Sequence, residues 1–89
     1  MTEIAFSSSF KRAFRKRIEG RKPLAEKFWK RVEMFKEDPH DARLRTHKLS
    51  GELQEYWSFS VEYDVRVVFQ FASNNRAVFQ DIGSHDEVY

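Results

Sequence analysis

The chain contains no cysteine among its 89 residues, so neither a disulfide nor a thiolate metal site can stabilise it. This absence fits a reducing compartment. No apolar stretch approaches the roughly 18 residues of a membrane span. The N-terminal MTEIAFSSSF also lacks a charged segment followed by an apolar run. We therefore expect a soluble cytoplasmic protein without a signal peptide or a membrane contact.

Glycine and histidine are also scarce, and their positions argue against several kinds of site. The three glycines form neither a phosphate-binding loop nor a GxSxG nucleophile elbow. His40, His47 and His85 lack metal-ligand spacing, and no HExxH motif occurs. The sequence thus predicts no metal ion and no cofactor. His40, in the loop DPHD, is expected at the surface.

Charge is distributed unevenly along the chain. Residues 1–36 carry eleven Lys or Arg and four Glu, whereas residues 37–89 carry five Lys or Arg and ten Asp or Glu. A basic half in so small a domain indicates a polyanion or an acidic protein as a partner. The alternative is a solvated helix face without a partner.

Two helices are predicted in the basic half, after a short strand EIAF at 3–6. In SSSFKRAFRKRI the apolar residues recur at helical spacing: Phe10, Ala13, Phe14 and Ile18. The serines before Phe10 suit an N-cap, and Gly20 suits the C′ position.

The second helix is predicted from Pro23, which suits a first turn, to Asp38-Pro39, where the second proline disfavours helix. Its apolar stripe consists of Leu24, Phe28, Val32 and Phe35. The short connection GRKP predicts that the two helices form an antiparallel hairpin.

Beyond Pro39 the apolar period changes to two. Every odd position from Phe59 to Phe71 is apolar, which predicts a sheet with one core face and one polar face. The run is long for one strand, so a turn is expected near Glu62–Asp64, and a second turn at 72–76 before the last strand AVFQDIG. The segment LRTHKLSG is expected to be extended, with a loop at Gly51.

These patterns predict one α+β domain over residues 1–89. Its order is β-α-α-β-β-β, with an antiparallel sheet and the helical hairpin packed on one face.

Three stretches carry the most specific pattern: RTHKLSG at 45–51, EYDVRVVF at 62–69 and IGSHDEVY at 82–89. An aromatic pair, Tyr56-Trp57, follows the first stretch. In this order and at these separations, together with the helical hairpin, they resemble the RelE/ParE superfamily of bacterial toxins over nearly the whole chain. The resemblance is closest to the RelE/StbE, YafQ-like branch of type II toxin–antitoxin systems.

The resemblance implies a metal-independent endoribonuclease that cuts messenger RNA in the ribosomal A site. A cognate antitoxin from a neighbouring gene would inhibit it in a hetero-oligomer. Attack by the 2′-hydroxyl would leave 2′,3′-cyclic phosphate ends. The alternative, from ParE-type members, is a DNA gyrase poison or a non-catalytic binding module on the same fold, which would need no acid–base residues.

Metal-free RNA cleavage needs a base for the 2′-hydroxyl, a cation for the phosphorane and an acid for the leaving 5′-oxygen. Arg66 is the best candidate cation, because a guanidinium engages two phosphate oxygens at once. Its alternative role is a surface salt bridge, for example with Asp64. His85 is the candidate acid, and the resemblance implies a catalytic histidine at this position. The alternative is an exposed terminal histidine.

The base is left open between Asp64 and His47, both at positions that the resemblance implies for the site, and a third alternative is that general-base catalysis is weak here. His47 has the alternative role of a hydrogen-bonded histidine at a loop edge. The chain departs from the family pattern twice, because Ser60 replaces a further histidine and Arg43 replaces a glutamate of the YoeB branch. Tyr89 is expected to stack on a base or orient the phosphate, or else to fold back onto the sheet edge.

Phosphate contacts without sequence preference are expected from Arg45 and Lys48. The basic residues of the first helix would attract ribosomal RNA or an acidic antitoxin: Lys11, Arg12, Arg15, Lys16 and Arg17. Their charge predicts a partner and does not distinguish between the two.

Overall fold

One five-stranded sheet, in the order β1-β5-β4-β3-β2, organises the chain. The computed structural model describes every residue, Met1–Tyr89. Its elements are β1 (Glu3–Phe6), α1 (Ser8–Arg17), α2 (Lys22–Glu37), β2 (His47–Lys48), β3 (Trp57–Glu62), β4 (Val65–Ser73), β5 (Arg76–Gly83) and α3 (His85–Val88). The α+β class and the helical hairpin are therefore confirmed.

Helix α1 begins where the serine run supplies a cap. Ser7 Oγ accepts a hydrogen bond from Phe10 N at 3.0 Å, which satisfies one of the free amides at a helix start. The prediction of Gly20 as the C′ residue is wrong. The helix ends at Arg17 with Ile18 as its C-cap, and Gly20 does not adopt the positive φ that makes glycine necessary there.

Helix α2 matches its prediction closely. A proline stands in its first turn, and the chain becomes extended at Asp38, because Pro39 disfavours the helical conformation in the residue before it. The predicted apolar stripe is buried. Its two phenylalanines, Phe28 and Phe35, are fully buried and pack against aromatic side chains of α1 and the sheet. The helical hairpin thus covers one face of the sheet.

The sheet follows the predicted alternation with one exception. Strands β3 and β4 form an antiparallel hairpin that turns at Tyr63-Asp64. The odd-numbered apolar residues of both strands face the core. Tyr63 shares their parity but is 95% exposed, because it stands at the tip of the turn, where no neighbouring strand continues the alternation.

Two strand pairings complete the sheet. Strand β1 lies parallel to β5, with Glu3 opposite Arg76 and Phe6 opposite Phe79. The predicted extended segment forms the two-residue strand β2, antiparallel to β3. The antiparallel meander of β3, β4 and β5 is therefore flanked by one parallel and one very short neighbour. No helix has both the length and the apolar composition that a membrane crossing requires.

Candidate active site

A short helix, α3 (His85–Val88), follows β5, and the sequence patterns above did not include it. After β5, Ser84 caps α3: its Oγ accepts from Glu87 N at 3.3 Å, and its own N donates to Glu87 Oε1 at 2.7 Å. This reciprocal pair is a capping box. The pattern S-x-x-E at 84–87 was visible in the sequence and could have predicted it. As a result, His85 stands in the first turn of the helix, and Tyr89 follows its last residue.

Arg17 joins this helix to the rest of the protein. Its Nη1 donates to Asp81 Oδ1 at 3.1 Å and to the Ile82 carbonyl at 3.0 Å, and its Nε lies 3.6 Å from Glu87 Oε2. A Cβ at Gly83 would meet Glu87 Oε1 at 2.8 Å and Arg17 Nη1 at 3.0 Å. Glycine therefore permits this close approach between α1, β5 and α3.

The Glu87 carboxylate is electrostatically stabilised in this arrangement. The hydrogen bond from Ser84 N lowers the pKa of Glu87 below its ordinary value, and the Arg17 charge lowers it further. Glu87 therefore remains ionised at neutral pH, both as a capping acceptor and as a partner of Arg17. Arg17 was expected only as part of a basic surface, because nothing in the sequence reveals contacts more than sixty residues away.

Tyr89 folds back onto the sheet and also lies beside His85. Its hydroxyl donates to Ser58 Oγ at 2.5 Å, and Ser58 is fully buried. The rings of His85 and Tyr89 meet edge to face, with centroids 4.7 Å apart and an interplanar angle of 83°. Because Tyr89 remains 40% exposed, part of its surface is open to a ligand. The two roles expected for Tyr89 are therefore geometrically compatible.

Cross-strand pairing places the remaining candidates on one face. His47 is opposite Ser58, and Arg66 is opposite Ser60 on one side and Gly83 on the other. Paired residues, and residues two apart on a strand, point to the same side of a sheet. His47 and Arg66 therefore share the face away from the helical hairpin with Ser58, the residue that holds Tyr89.

Asp64 lies in the β3–β4 turn and contacts the same helix. Its Oδ1 accepts a hydrogen bond of 3.4 Å from His85 N. No ion pair joins Asp64 to Arg66, and one guanidinium nitrogen of Arg66, Nη1, is buried without a hydrogen-bond partner. Buried donors are normally satisfied, so Arg66 is the one buried side-chain donor of the chain whose hydrogen bonding is incomplete.

A groove of about 810 Å³ lies beside β3 and contains both Arg66 and His47. It is lined by Lys27, Arg31, Ala42, Arg43, Arg45, His47, Ser60, Val61, Glu62, Tyr63 and Arg66. The lining thus has five Lys or Arg side chains and a single acid. Such a hollow concentrates positive potential and attracts anions.

The charges of this groove are only partly compensated. Arg43 pairs with Asp41 at 2.8 Å, and its hydrogen bonds are the main reason that the pKa of Asp41 falls to about 2. Lys27 stands 3.9 Å from Glu62. Arg31 Nη1 donates to the Arg43 carbonyl at 3.0 Å, which orients it without neutralising it.

The ring orientation of His47 is defined by the backbone. Its Nδ1 lies 2.9 Å from the Arg45 carbonyl oxygen, and because a carbonyl can only accept, Nδ1 carries the hydrogen. In the neutral ring Nε2 then holds a free lone pair, as a proton acceptor requires. Arg45 has φ 54°, a left-handed conformation that costs a non-glycine residue about 1–2 kcal/mol. This strained residue supplies the acceptor for His47.

Several predicted contact residues lie elsewhere. Lys48 is opposite Trp57, so it points to the other side of the sheet from His47. The basic residues of α1 lie outside the groove: Lys11 and Arg15 border an apolar hollow of about 210 Å³ with Phe6, Phe10, Phe14 and Trp29, while Arg12 is exposed and Lys16 lies near Arg17. Conversely, Lys27 and Arg31 of α2 line the groove and were missing from the predicted site.

Several solved structures with this architecture are bacterial toxins. YafQ from E. coli strain BL21(DE3) superposes with a TM-score of 0.82 at 16% identity, covering 100% of this chain and 99% of that chain. A YoeB/ParE toxin from Agrobacterium tumefaciens gives 0.78 at 18% identity, covering 94% and 99%. The E. coli DinJ–YafQ toxin–antitoxin complex gives 0.77 at 19% identity, covering 99% and 97%. At these identities the likeness establishes the fold class alone.

The family itself follows from the sequence match. The family model described as "Bacterial toxin of type II toxin-antitoxin system, YafQ" matches residues 2–89. The chain therefore belongs to the YafQ family of bacterial toxins, and the resemblance to the YafQ-like branch is confirmed. None of the curated protein sequences gives a significant match.

Proposed function

We propose that this toxin is an endoribonuclease that cuts messenger RNA in the ribosomal A site without a metal ion. The observation that carries the proposal is that Arg66 and His47 line the same cationic groove. Arg66 offers a buried, unpartnered guanidinium nitrogen, and His47 has its Nδ1 bonded to the Arg45 carbonyl. One group suits a phosphate, and the other suits proton transfer.

The proposed reaction is an attack of the RNA 2′-hydroxyl on its own phosphate. His47 Nε2 takes the proton of the hydroxyl, the O2′–P bond forms, and Arg66 offsets the charge that develops on the phosphorane. The P–O5′ bond then breaks, and protonated His85 delivers its proton to the 5′-oxygen. The products are a 2′,3′-cyclic phosphate and a free 5′-hydroxyl.

The geometry favours His47 over Asp64 as the base. Asp64 accepts the backbone amide of His85, so one of its oxygens is engaged in orienting α3. His47 instead directs an unengaged nitrogen away from its backbone acceptor. In this scheme Asp64 is a positioning residue, and Tyr89 supports the His85 ring while presenting its exposed part to a base or phosphate.

We further propose a cognate antitoxin as the inhibitory partner, in a hetero-oligomer. Solved relatives support this partner: YafQ is found in a complex with DinJ, and a Staphylococcus aureus YoeB with YefM. Helix α1 carries several exposed basic residues, which suit an acidic partner segment. An antitoxin that folds on the toxin could cover the groove and exclude RNA.

Induced expression in bacteria followed by primer extension tests this function. Discrete cuts within translated frames are expected for the wild type, and their absence for Arg66→Ala and His85→Gln at equal protein levels. Blocking translation initiation should remove the cuts if the A site is the place of cleavage. Intact messages together with broken or stalled DNA would contradict the ribonuclease and support a gyrase poison instead.

A further inference from the structure

The cationic groove extends beyond the proposed catalytic groups to helix α2. Lys27 and Arg31 are one helical turn apart, so they project from the same side of α2, and both line the groove with Arg66. Strand β2 pairs only with Trp57 and Ser58, so the following residues of β3 form an open edge. The groove therefore runs along an unpaired strand edge between the sheet and α2.

Stability does not account for this concentration of cations. Arg31, Arg45 and Arg66 have no carboxylate partner, and Glu62 is the sole acid among the lining residues. Like charges around one hollow repel each other, and they favour binding of a multivalent anion. The single ion pair to Glu62 is long, at 3.9 Å, with side chains 45% and 38% exposed. Such a pair contributes little and can exchange readily for a phosphate.

Arg31 is also held in place for a ligand. Its hydrogen bond to the Arg43 carbonyl fixes one guanidinium nitrogen, and Arg43 is itself held by Asp41. A guanidinium oriented by a neutral acceptor retains its full charge and its other donors. Less conformational freedom is then lost when it binds an anion.

We propose that Arg31 and Lys27 form, with Arg45, a second phosphate-binding subsite for the RNA strand. The strand would pass from Arg66 along the open edge of β3 to α2, held through its backbone without sequence preference. This inference rests on the proposed ribonuclease function and adds α2 residues that are remote from the reacting atoms. An acidic protein segment is the competing occupant of the same surface.

The test is binding of a short single-stranded RNA whose 2′-hydroxyls are methylated, so that it cannot be cleaved by its own 2′-oxygens. Affinity is measured over a range of salt for the wild type, Arg31→Gln and the matched control Lys30→Gln, which removes the same charge from α2 outside the groove. For single strands each phosphate contact contributes about 0.7 to the slope of log affinity against log salt. We expect Arg31→Gln to lower the slope by about that amount and Lys30→Gln to leave it nearly unchanged.

Equal slopes for Arg31→Gln and Lys30→Gln would overturn the subsite. So would unchanged RNA binding combined with weaker antitoxin binding, which would assign the surface to the protein partner. If Arg31→Gln does not fold, as judged by circular dichroism, Lys27→Gln serves in its place, since Lys27 makes only the long pair to Glu62. Failure of the ribonuclease proposal can be distinguished from failure of the subsite. In that case wild-type expression leaves messages uncut, whatever the slopes of log RNA affinity against log salt.

Discussion

The hydroxyl of Tyr89 donates a hydrogen bond to the fully buried Ser58 Oγ, so the residue that follows α3 is attached to strand β3. Ser58 is also the residue opposite His47. One buried serine thus lies between a candidate base and the aromatic ring that contacts the candidate acid. The position of Tyr89 after α3 is therefore linked through Ser58 to the position of His47 in strand β2.

Tyr89→Phe removes this hydrogen bond and leaves Ser58 Oγ without its partner. We expect a loss of about 1–3 kcal/mol in the free energy of unfolding, the usual cost of an unsatisfied buried polar group. The double variant Tyr89→Phe/Ser58→Ala should recover part of that loss, because neither partner then remains unpaired. Urea denaturation of the two single variants and the double variant measures the coupling. Strictly additive losses would mean that the bond contributes nothing to stability.

Arg17→Gln is expected to loosen α3 while leaving the domain folded. Its contacts to Asp81, Ile82 and Glu87 are partly exposed, so the loss in global stability should stay below about 2 kcal/mol. Hydrogen exchange at the amides of α3 should accelerate, and toxicity should fall with it. Arg12→Gln is the control, since it removes the same charge from an exposed position of α1. Equal exchange rates in both variants would exclude the positioning role of Arg17.

The attachment of α3 should weaken in acid before the sheet unfolds. The pKa of Glu87 is lowered from an ordinary 4.5, so the folded state binds this proton less readily than the unfolded state. Its stabilising effect is therefore complete above about pH 4.5 and is lost as the pH falls through the folded-state pKa. Nuclear magnetic resonance of the His85 and Tyr89 signals during acidification should show this step. Glu87→Gln, which keeps a capping acceptor, should abolish it; a persistent step would point to another carboxylate.

Much of the fold was predictable because it depends on local periodicity. The apolar stripe of α2, the turn at Tyr63-Asp64 and the two-faced strands follow from spacing alone. The parallel pairing of β1 with β5 could not be predicted in the same way. It depends on how the helical hairpin returns the chain to the sheet, which is a tertiary effect.

The candidate site was predictable in its chemistry but not in its extent. The alternation of apolar and polar residues placed Arg66 on the polar face of its strand. The stretch IGSHDEVY at 82–89 singled out His85. By contrast, Arg31 enters the groove from α2, and Arg17 reaches α3 from α1. Each contact depends on side chains that approach across elements, so a list of basic residues could not separate Arg31 from Lys30. The basic residues of α1 were predicted to attract RNA, but they lie outside the groove.

Arg45 combines a side-chain role and a backbone role that substitution can separate. Its φ of 54° suits glycine and asparagine better than alanine. Arg45→Gly should preserve the carbonyl that orients His47 and gain roughly 0.5–1 kcal/mol of stability from relief of strain. Arg45→Ala should keep the strain. If the cation alone matters, both variants lose RNA affinity and cleavage equally; unequal losses of cleavage at equal RNA affinity would indicate the backbone role.

The assignment of His47 as base and His85 as acid makes opposite demands on the two rings. His47 must be neutral and His85 protonated, so single-turnover cleavage should have a bell-shaped dependence on pH. Replacing either histidine by glutamine should lower the rate by about 10²–10⁴-fold at matched ribosome occupancy. His47→Gln should remove the rise on the acidic side, and His85→Gln the fall on the alkaline side.

A substrate with sulfur in place of the leaving 5′-oxygen separates the two roles directly. A thiolate leaves without protonation, because thiols are far stronger acids than alcohols, so this substrate does not need a general acid. His85→Gln should therefore cut the sulfur substrate nearly as fast as the wild type does, whereas His47→Gln should remain slow, since the 2′-hydroxyl still has to lose its proton. Rescue of His47→Gln alone would exchange the two assignments. Rescue of neither would leave His85 with a purely structural role in the contact with Tyr89.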